Sequence, residues 1–219
     1  MDPFSRPVLF YRWLVFGAAA FYSVYMIVSS PYIGEPGGPF RYLTVWALLL
    51  SFFCASRLLA FSERRSTRRW DALIAATAVL NFMVVFLYWR LYFGDPASVT
   101  RNGVLSVWWR EYYLHLVGPL LMWGDAFWVN RPFRRYVPSA VLLVGIALAY
   151  FAWAELIVGP LNDTPIGSVT TGLPYPFLNS MELADRIRFY AVNTALALGL
   201  LGLFFGLGRL IKRRFGDRP

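Results

Sequence analysis

Two chemically versatile side chains each occur once in this sequence of 219 residues, namely His115 and Cys54. Single copies exclude an intrachain disulfide, a Cys/His zinc cluster and a bis-histidine haem site within one protomer, and we expect neither a metal nor another cofactor. The imidazole is instead a candidate general base, because a neutral histidine can take a proton from a hydroxyl group. The alternative interpretation is a histidine that only forms a hydrogen bond with a neighbouring helix.

Thr44 is the hydroxyl residue that we expect to meet His115. Both residues lie a few positions after the start of a predicted helix, and these two helices are expected to run in the same direction. Their side chains then lie at a similar depth and could meet across a helical bundle. A threonine hydroxyl becomes a nucleophile when a base removes its proton. The structural alternative is a hydroxyl that donates to a backbone carbonyl one turn earlier.

Two carboxylates are candidates for orienting the imidazole. Glu111 stands four residues before His115 on the same helical face, and Glu155 could reach the ring from another helix. Asp125 is excluded, because ten residues of helix separate it from His115 by about 15 Å. For both glutamates the alternative is an interfacial ion pair with one of three arginines, Arg110, Arg186 and Arg188.

Polar residues inside the apolar segments need partners, since an ionisable side chain costs about 2.5 to 3.5 kcal/mol at the centre of a bilayer. We expect Asp125 to pair with Arg57, and Arg12 to extend its guanidinium toward a membrane face. Asn81 and Asn193 lie deeper, and we expect each of them to form a hydrogen bond between helices.

The composition indicates that membrane helices position these residues. The chain is 58% hydrophobic and only 15% charged, with a mean hydropathy of +0.50, so it has too few polar residues to cover a water-soluble protein. A soluble enzyme and a disordered chain are excluded. Six apolar segments are long enough to cross a membrane, at residues 8–28, 42–61, 71–93, 112–129, 136–158 and 188–211. The sequence predicts an all-α integral membrane protein, with residues 1–219 forming a single six-helix transmembrane domain.

The positive charges indicate the orientation of these helices. The net charge is +9, and three arginine-rich clusters follow the second, fourth and sixth spans. Arg and Lys in short loops are retained on the cytoplasmic side, so both termini are predicted to be cytoplasmic. Binding of nucleic acid or of another anionic ligand by these clusters is the less favoured interpretation, and we expect no nucleic-acid partner. Thr44 and His115 then lie toward the extracytoplasmic side.

The connection between the fifth and sixth spans, at residues 159–185, is the longest one. It contains Pro174-Tyr175-Pro176-Phe177, which could form a rigid apolar plug over the Thr44 and His115 region. The alternative is an ordinary connecting loop.

Four short motifs follow one another along almost the whole chain. They are Arg41-Tyr42-Leu43-Thr44-Val45-Trp46, then His115-Leu116-Val117-Gly118-Pro119 with Asp125 following, then Tyr175-Pro176-Phe177-Leu178, and finally Ala184-Asp185-Arg186-Ile187-Arg188-Phe189. Together they resemble the androgen-induced-gene (FAR-17a-like) family of six-span membrane proteins, which includes the androgen-dependent regulator of tissue factor pathway inhibitor. The spacing of His115, Pro119 and Asp125 is most similar to the bacterial branch of that family.

Animal members of this family are threonine hydrolases that cleave fatty acid esters of hydroxy fatty acids. The resemblance implies that Thr44 is the nucleophile, that His115 is the base, and that the substrate is a membrane lipid or a fatty acid ester. A substrate with a free carboxylate needs a nearby cation, for which Arg41, Arg186 and Arg188 are candidates. The bacterial inner membrane is the expected location.

Two non-enzymatic functions remain open on the sequence alone. A small-molecule or proton-coupled transporter would need a polar path across the bilayer, through Asn81, Asp125 and Asn193. A lipid-binding bundle is a variant of this first alternative, whereas an assembly subunit would pack its aromatic surfaces against a partner. The hydrolase predicts instead that the Thr44 hydroxyl lies within hydrogen-bond reach of His115, beside a lipid-sized cavity.

Overall fold

The computed structural model describes residues 1–96, 99–100, 107–163 and 171–216, and every regular element within these ranges is helical. The helices are α1 (Arg6–Val28), α2 (Leu43–Ser62), α3 (Asp71–Gly94), α4 (residues 108–130), α5 (Tyr136–Leu161), the short α6 (Pro176–Asn179) and α7 (Leu183–Phe215). A 3₁₀ turn, Gly38–Arg41, precedes α2. The predicted all-α class is confirmed.

Helices α1, α2, α3, α5 and α7 are long and apolar enough to cross a membrane. The chain is therefore a multi-pass helical membrane protein. Helix α4 occupies the predicted fourth span, but it consists of short α-helical segments that alternate with two π-helical segments, Tyr113–Val117 and Asp125–Asn130. The count of six spans and the cytoplasmic position of the termini stay predictions.

The helix bounds differ from the sequence prediction mainly around the 159–185 connection. Helix α5 continues through a further π-helical segment, Ala154–Val158, and ends at Leu161. Helix α7 begins at Leu183, five residues earlier than predicted, after Glu182 in an extended conformation. Asp185 lies in the first turn of α7, where the positive end of the helix dipole stabilises a carboxylate. The connection is shorter than predicted, and its residues 164–170 lie outside the described part of the chain.

Helix α3 lies at the centre of the bundle, where it packs against α2, α4, α5 and α7. It contains several small residues, and Ala75, Ala76 and Ala78 are each at most 1% exposed. Small side chains let helix backbones approach closely, which favours association in a membrane, where lipid is as apolar as the protein surface. Helix α3 therefore supports both α2 and α4, the helices that carry Thr44 and His115.

A buried ion pair joins α1 to α4. Nε and Nη2 of Arg12 donate to the two carboxylate oxygens of Asp125 at 2.6 and 2.9 Å, and each side chain is only 2% exposed. Nη1 of Arg12 donates to the carbonyl of Leu58 and to the hydroxyl of Ser62, both in α2. The predicted pairing of Asp125 with Arg57 is wrong, because α1 rather than α2 brings its guanidinium to this carboxylate. Arg12 does not reach a membrane face, since these contacts hold it inside the bundle.

Asp125→Ala should lower the free energy of unfolding by about 3 to 5 kcal/mol, because it leaves a buried guanidinium without its anion. Thermal unfolding of the purified protein in detergent measures this change. The matched control is Glu63→Ala, which removes the carboxylate paired with the exposed Arg65 and should cost at most about 1 kcal/mol. The double variant Arg12→Met/Asp125→Leu should regain much of the lost stability. Equal losses in Asp125→Ala and Glu63→Ala would contradict the structural role of the buried pair.

Candidate active site

Thr44 and His115 lie side by side, with their reactive atoms Oγ1 and Nε2 3.4 Å apart. Thr44 is the second residue of α2, and His115 lies in the Tyr113–Val117 π-helical segment of α4. His115 is only 5% exposed, so its imidazole is shielded from the surroundings. The structure thus brings together the two side chains that were predicted to lie at a similar depth in the bundle.

The other ring nitrogen of His115 faces Glu111, one turn earlier in α4. Nδ1 is 3.1 Å from the carbonyl oxygen of Glu111 and 3.4 Å from its carboxylate oxygen Oε2. Both oxygens are acceptors, so they favour the tautomer with the proton on Nδ1, which leaves the lone pair of Nε2 directed at the Thr44 hydroxyl. The carboxylate is itself held by Arg110, whose Nε donates to Oε1 at 2.9 Å.

The conformation of α4 around His115 follows from the sequence Gly118-Pro119. In an α-helix the N–H of residue 119 would donate to the carbonyl of His115, but proline has no N–H. Nε1 of Trp89 in α3 donates to this carbonyl instead, at 2.8 Å. The N–H of Gly118 donates to the carbonyl of Tyr113, five residues earlier, which is the hydrogen bond of a π-helix. These bonds fix the rotation of this turn and therefore the direction of the imidazole.

Tyr88 of α3 covers one face of the imidazole. Its ring stacks on that of His115, with centroids 3.5 Å apart and 5° between the ring planes. Tyr88 and Thr44 both line a cavity, whereas His115 contacts these two residues without lining it. A molecule in the cavity would therefore contact Thr44, whose hydroxyl is next to the imidazole.

The cavity has a volume of about 300 Å³, and its walls are almost entirely apolar. Side chains of α2, α3, α5 and α7 line it, and Tyr175, Phe177 and Leu178 contribute from the segment between α5 and α7. The hydroxyl oxygen of Tyr175 accepts the N–H of Leu43, the residue before Thr44, at 3.3 Å. Burial raises the pKa of Tyr175 above its usual value, so this hydroxyl stays protonated at neutral pH. A cavity of this size and lining suits an apolar ligand.

A smaller cavity of about 20 Å³ also borders Thr44. Ser51 and Asn81 line it, and Nδ2 of Asn81 donates to the Ser51 hydroxyl at 2.8 Å. This volume has room for one water molecule among polar groups.

The interhelical hydrogen bond predicted for Asn81 is confirmed. The same prediction is wrong for Asn193, which donates to the carbonyl of Phe189 in its own helix.

Glu155, the second carboxylate predicted to orient His115, has other partners in the described structure. It accepts two hydrogen bonds from Arg186, at 2.9 and 3.1 Å, and one from the hydroxyl of Tyr190 at 2.6 Å. The ion pair with Arg186, the alternative interpretation of Glu155, is therefore the one observed. It also neutralises Arg186, which does not line the cavity.

The other two cations predicted to bind a substrate carboxylate, Arg41 and Arg188, also lie away from the cavity lining. Arg41 is the last residue of the 3₁₀ turn that precedes α2, and its side chain is completely buried. There it donates to the carbonyl of Pro36 at 2.8 Å and lies over the ring of Tyr32. Arg188 is exposed on α7. A linear sequence does not reveal the rotation of each segment, which determines the residues that line the cavity.

Three consecutive residues of α3 contribute to the site, although none of them was predicted as a site residue. Tyr88 stacks on the imidazole, Trp89 donates to the carbonyl of His115, and Arg90 lines the cavity. Arg90 is exposed, and no carboxylate among the described residues forms an ion pair with it. One available signal was Pro119, because the carbonyl that it leaves without an intrahelical donor requires a donor from another helix.

Trp89→Phe should destabilise the protein by about 1 to 3 kcal/mol, because it leaves the carbonyl of His115 without the indole donor. Thermal unfolding in detergent provides the measurement. The matched control is Trp128→Phe, since Trp128 is 50% exposed and should change stability by at most about 0.5 kcal/mol. A loss in the control as large as that in Trp89→Phe would show that the hydrogen bond to His115 is not the cause.

Comparison with known proteins identifies the family of the chain. The family model described as FAR-17a/AIG1-like protein matches residues 9–208, a range that contains Thr44, His115 and the lining of the apolar cavity. No curated protein and no solved structure matched the sequence. A closer relation to the bacterial branch stays a prediction. The resemblance drawn from the four motifs is confirmed, and the chain belongs to the FAR-17a/AIG1-like family.

Proposed function

We propose that this protein is an intramembrane hydrolase of lipid esters, with Thr44 as the nucleophile and His115 as the general base. The observation that carries the proposal is the 3.4 Å separation of Oγ1 and Nε2 at the wall of an apolar cavity of about 300 Å³. A hydroxyl next to an imidazole, with a third group at the other ring nitrogen, is the arrangement that activates such nucleophiles on unrelated folds. Membership of the family is compatible with a membrane hydrolase.

In the first half-reaction, Oγ1 of Thr44 attacks the ester carbonyl while Nε2 of His115 accepts the hydroxyl proton. The carboxylate of Glu111, 3.4 Å from Nδ1, stabilises the positive charge that forms on the ring. The oxyanion develops beside the first turn of α2, where the positive end of the helix dipole favours negative charge. The bond to the leaving oxygen then breaks, and His115 gives the proton to the departing alcohol, which leaves the acyl group on Thr44.

In the second half-reaction, water attacks the acyl-threonine while His115 takes a proton from that water. The acyl–oxygen bond breaks, and the proton returns to Oγ1 of Thr44. The cavity of about 20 Å³ beside Thr44 has room for this water next to Ser51 and Asn81. The larger apolar cavity holds the acyl chain and limits the access of other water molecules.

The cavity lining supports a substrate with long apolar chains and one anionic group. The walls suit hydrocarbon, whereas Arg90 supplies a guanidinium without an ion-pair partner among the described residues. Arginine binds carboxylates through two parallel hydrogen bonds. A fatty acid ester of a hydroxy fatty acid, the substrate implied by the resemblance, has both features.

The proposal includes the topology expected from the sequence, with six spans, both termini in the cytoplasm and the site toward the extracytoplasmic side of a bacterial inner membrane. Cations from all three arginine-rich clusters line one cavity, which supports a common side for the clusters. That cavity includes Phe61, seventeen residues after Thr44 in α2, a rise of about 25 Å along a helix. The site and the clusters therefore belong to opposite ends of the bundle.

The transporter alternative lacks a polar path among the described residues. Asn81 bonds to Ser51, Asp125 is neutralised by Arg12, and Asn193 bonds within its own helix. Each of these groups is satisfied locally, so they do not form a chain of exchangeable partners across the bilayer.

Hydrolysis of a fluorogenic lipid ester by the purified protein in detergent tests the catalytic roles. Thr44→Val keeps the shape of the side chain but removes the hydroxyl, and His115→Ala removes the base. Each variant should lower kcat by at least about 100-fold, whereas Thr44→Ser keeps a hydroxyl and should retain measurable turnover.

The matched control for Thr44→Val is Thr194→Val. Thr194 lines the same cavity, but its hydroxyl donates to the carbonyl of Tyr190, so its loss should leave kcat within about twofold of the native value. Equal turnover by the native protein, Thr44→Val and His115→Ala would reject the assigned roles.

Arg90→Gln should raise KM about tenfold for an ester with a free carboxylate, because a hydrogen-bonded ion pair with the substrate is lost. The methyl ester of the same substrate should show no change. Arg188→Gln removes an exposed cation away from the cavity and should leave KM unaltered for both substrates. If Arg188→Gln raises KM and Arg90→Gln does not, the carboxylate binds elsewhere and the role of Arg90 is wrong.

A further inference from the structure

A second large cavity, of about 370 Å³, lies at the end of the bundle where α2 ends and α3 begins. It is bordered by Phe61 near the end of α2, by the connection between α4 and α5, and by the last turns of α7. This cavity shares no lining residue with the apolar cavity beside Thr44. It is therefore a separate candidate site, and its chemistry does not depend on the proposed hydrolase.

The walls of this cavity are strongly basic. Five cationic side chains line it, contributed by three distant parts of the sequence: Arg69, Arg131, Arg134, Arg209 and Lys212. Like charges brought together at this density repel one another, so an anionic ligand would stabilise the arrangement.

Among the described residues, Asp71 neutralises only part of the charge of the arginines in this cluster. Asp71 lies 3.3 Å from Nε of Arg69 and 3.9 Å from Nε of Arg134. No carboxylate among the described residues forms an ion pair with Arg131 or Arg209. Nη1 of Arg131 donates to a backbone carbonyl, that of Gly216, at 2.8 Å. The cavity thus keeps an excess of positive charge.

Retention of positive loops in the cytoplasm does not explain this geometry. The positive-inside rule requires only that Arg and Lys occur in the cytoplasmic loops. It places no requirement on the direction of their side chains. Arg64, Arg65, Arg213 and Arg214 belong to the same clusters, yet they do not line the cavity. A subset of the cations has converged on one concave space, which is a feature of ligand sites.

The floor of the cavity is apolar and closely packed. Phe61, Val129 and Phe133 contribute hydrocarbon to the lining. Gly208 of α7 packs directly on Phe133, because a Cβ at this glycine would lie 2.9 Å from the aromatic ring. Cations above an apolar floor at the end of membrane helices match the boundary between lipid headgroups and acyl chains.

We propose that this cavity binds the phosphate group of an anionic phospholipid, held by Arg134 and Arg209 together with the neighbouring cations. Free phosphate has the same binding chemistry, but it would leave the apolar floor unused. The ligand stabilises the bundle by neutralising the cations that the α2–α3 connection, the α4–α5 connection and α7 bring together.

Native mass spectrometry of the detergent-purified protein tests the proposal. Palmitoyl-oleoyl phosphatidylglycerol is compared with the zwitterionic phosphatidylcholine of the same chains and with inorganic phosphate alone. The native protein should retain one phosphatidylglycerol at a concentration about tenfold lower than that needed for phosphatidylcholine. Arg134→Gln/Arg209→Gln should remove this preference, whereas Arg134→Lys/Arg209→Lys, which keeps the charges, should retain most of it.

The matched control is Arg213→Gln/Arg214→Gln, which removes two charges from the end of α7 without changing the cavity lining. Its preference for phosphatidylglycerol should stay within about twofold of the native value. Equal losses in the two glutamine double variants would overturn the proposal, since a general charge effect would then explain binding. Binding of inorganic phosphate without any preference for phosphatidylglycerol would also overturn it, in favour of a free anion.

Discussion

The missing N–H of Pro119 is the constraint on which the candidate active site depends. It prevents the helix that carries His115 from completing its backbone hydrogen bonds, and an unsatisfied carbonyl in lipid costs several kcal/mol. The donor therefore comes from another helix, where Trp89 reaches this carbonyl at 2.8 Å and its neighbour Tyr88 stacks on the imidazole. Helix α3 thus holds the ring while α2 brings Thr44 to the remaining ring nitrogen.

The same requirement for partners sets the relative positions of the helices around the site. Arg12 forms an ion pair with Asp125 and also donates hydrogen bonds to two groups in α2. One guanidinium therefore links α1, α2 and α4. Asn81 donates to Ser51 and links α3 to α2. These interactions use the helices that carry Thr44 and His115. An unpaired polar group is costly in an apolar environment. The pairing of these groups therefore determines how the side chains of Thr44 and His115, 71 residues apart, come into contact.

Depth along a helix could be predicted from the sequence, because it depends only on where a span begins and on the rise per residue. For this reason Thr44 and His115 were expected at one level, and the helical class and the family motifs were also recognisable. The direction of a side chain around its helix axis could not be predicted, because neighbouring helices determine that rotation. Asp125 and Arg41 consequently have partners different from those expected, whereas Glu155 forms the ion pair with Arg186 that was its alternative interpretation. Pro119 indicated that one carbonyl of α4 needs a donor other than the usual backbone N–H, but it did not indicate that α4 contains π-helical segments.

Covalent labelling by a long-chain alkyl fluorophosphonate is the most direct measurement of whether the Thr44 hydroxyl is activated. The hydroxyl oxygen displaces fluoride from phosphorus and forms a stable phosphonate ester, so peptide mass spectrometry identifies the residue that attacked the reagent. We expect a single adduct on the peptide that contains Thr44, and loss of this adduct in His115→Ala. An adduct on a different residue, or undiminished labelling of Thr44 without the imidazole, would contradict the assignment of Thr44 as nucleophile and His115 as base.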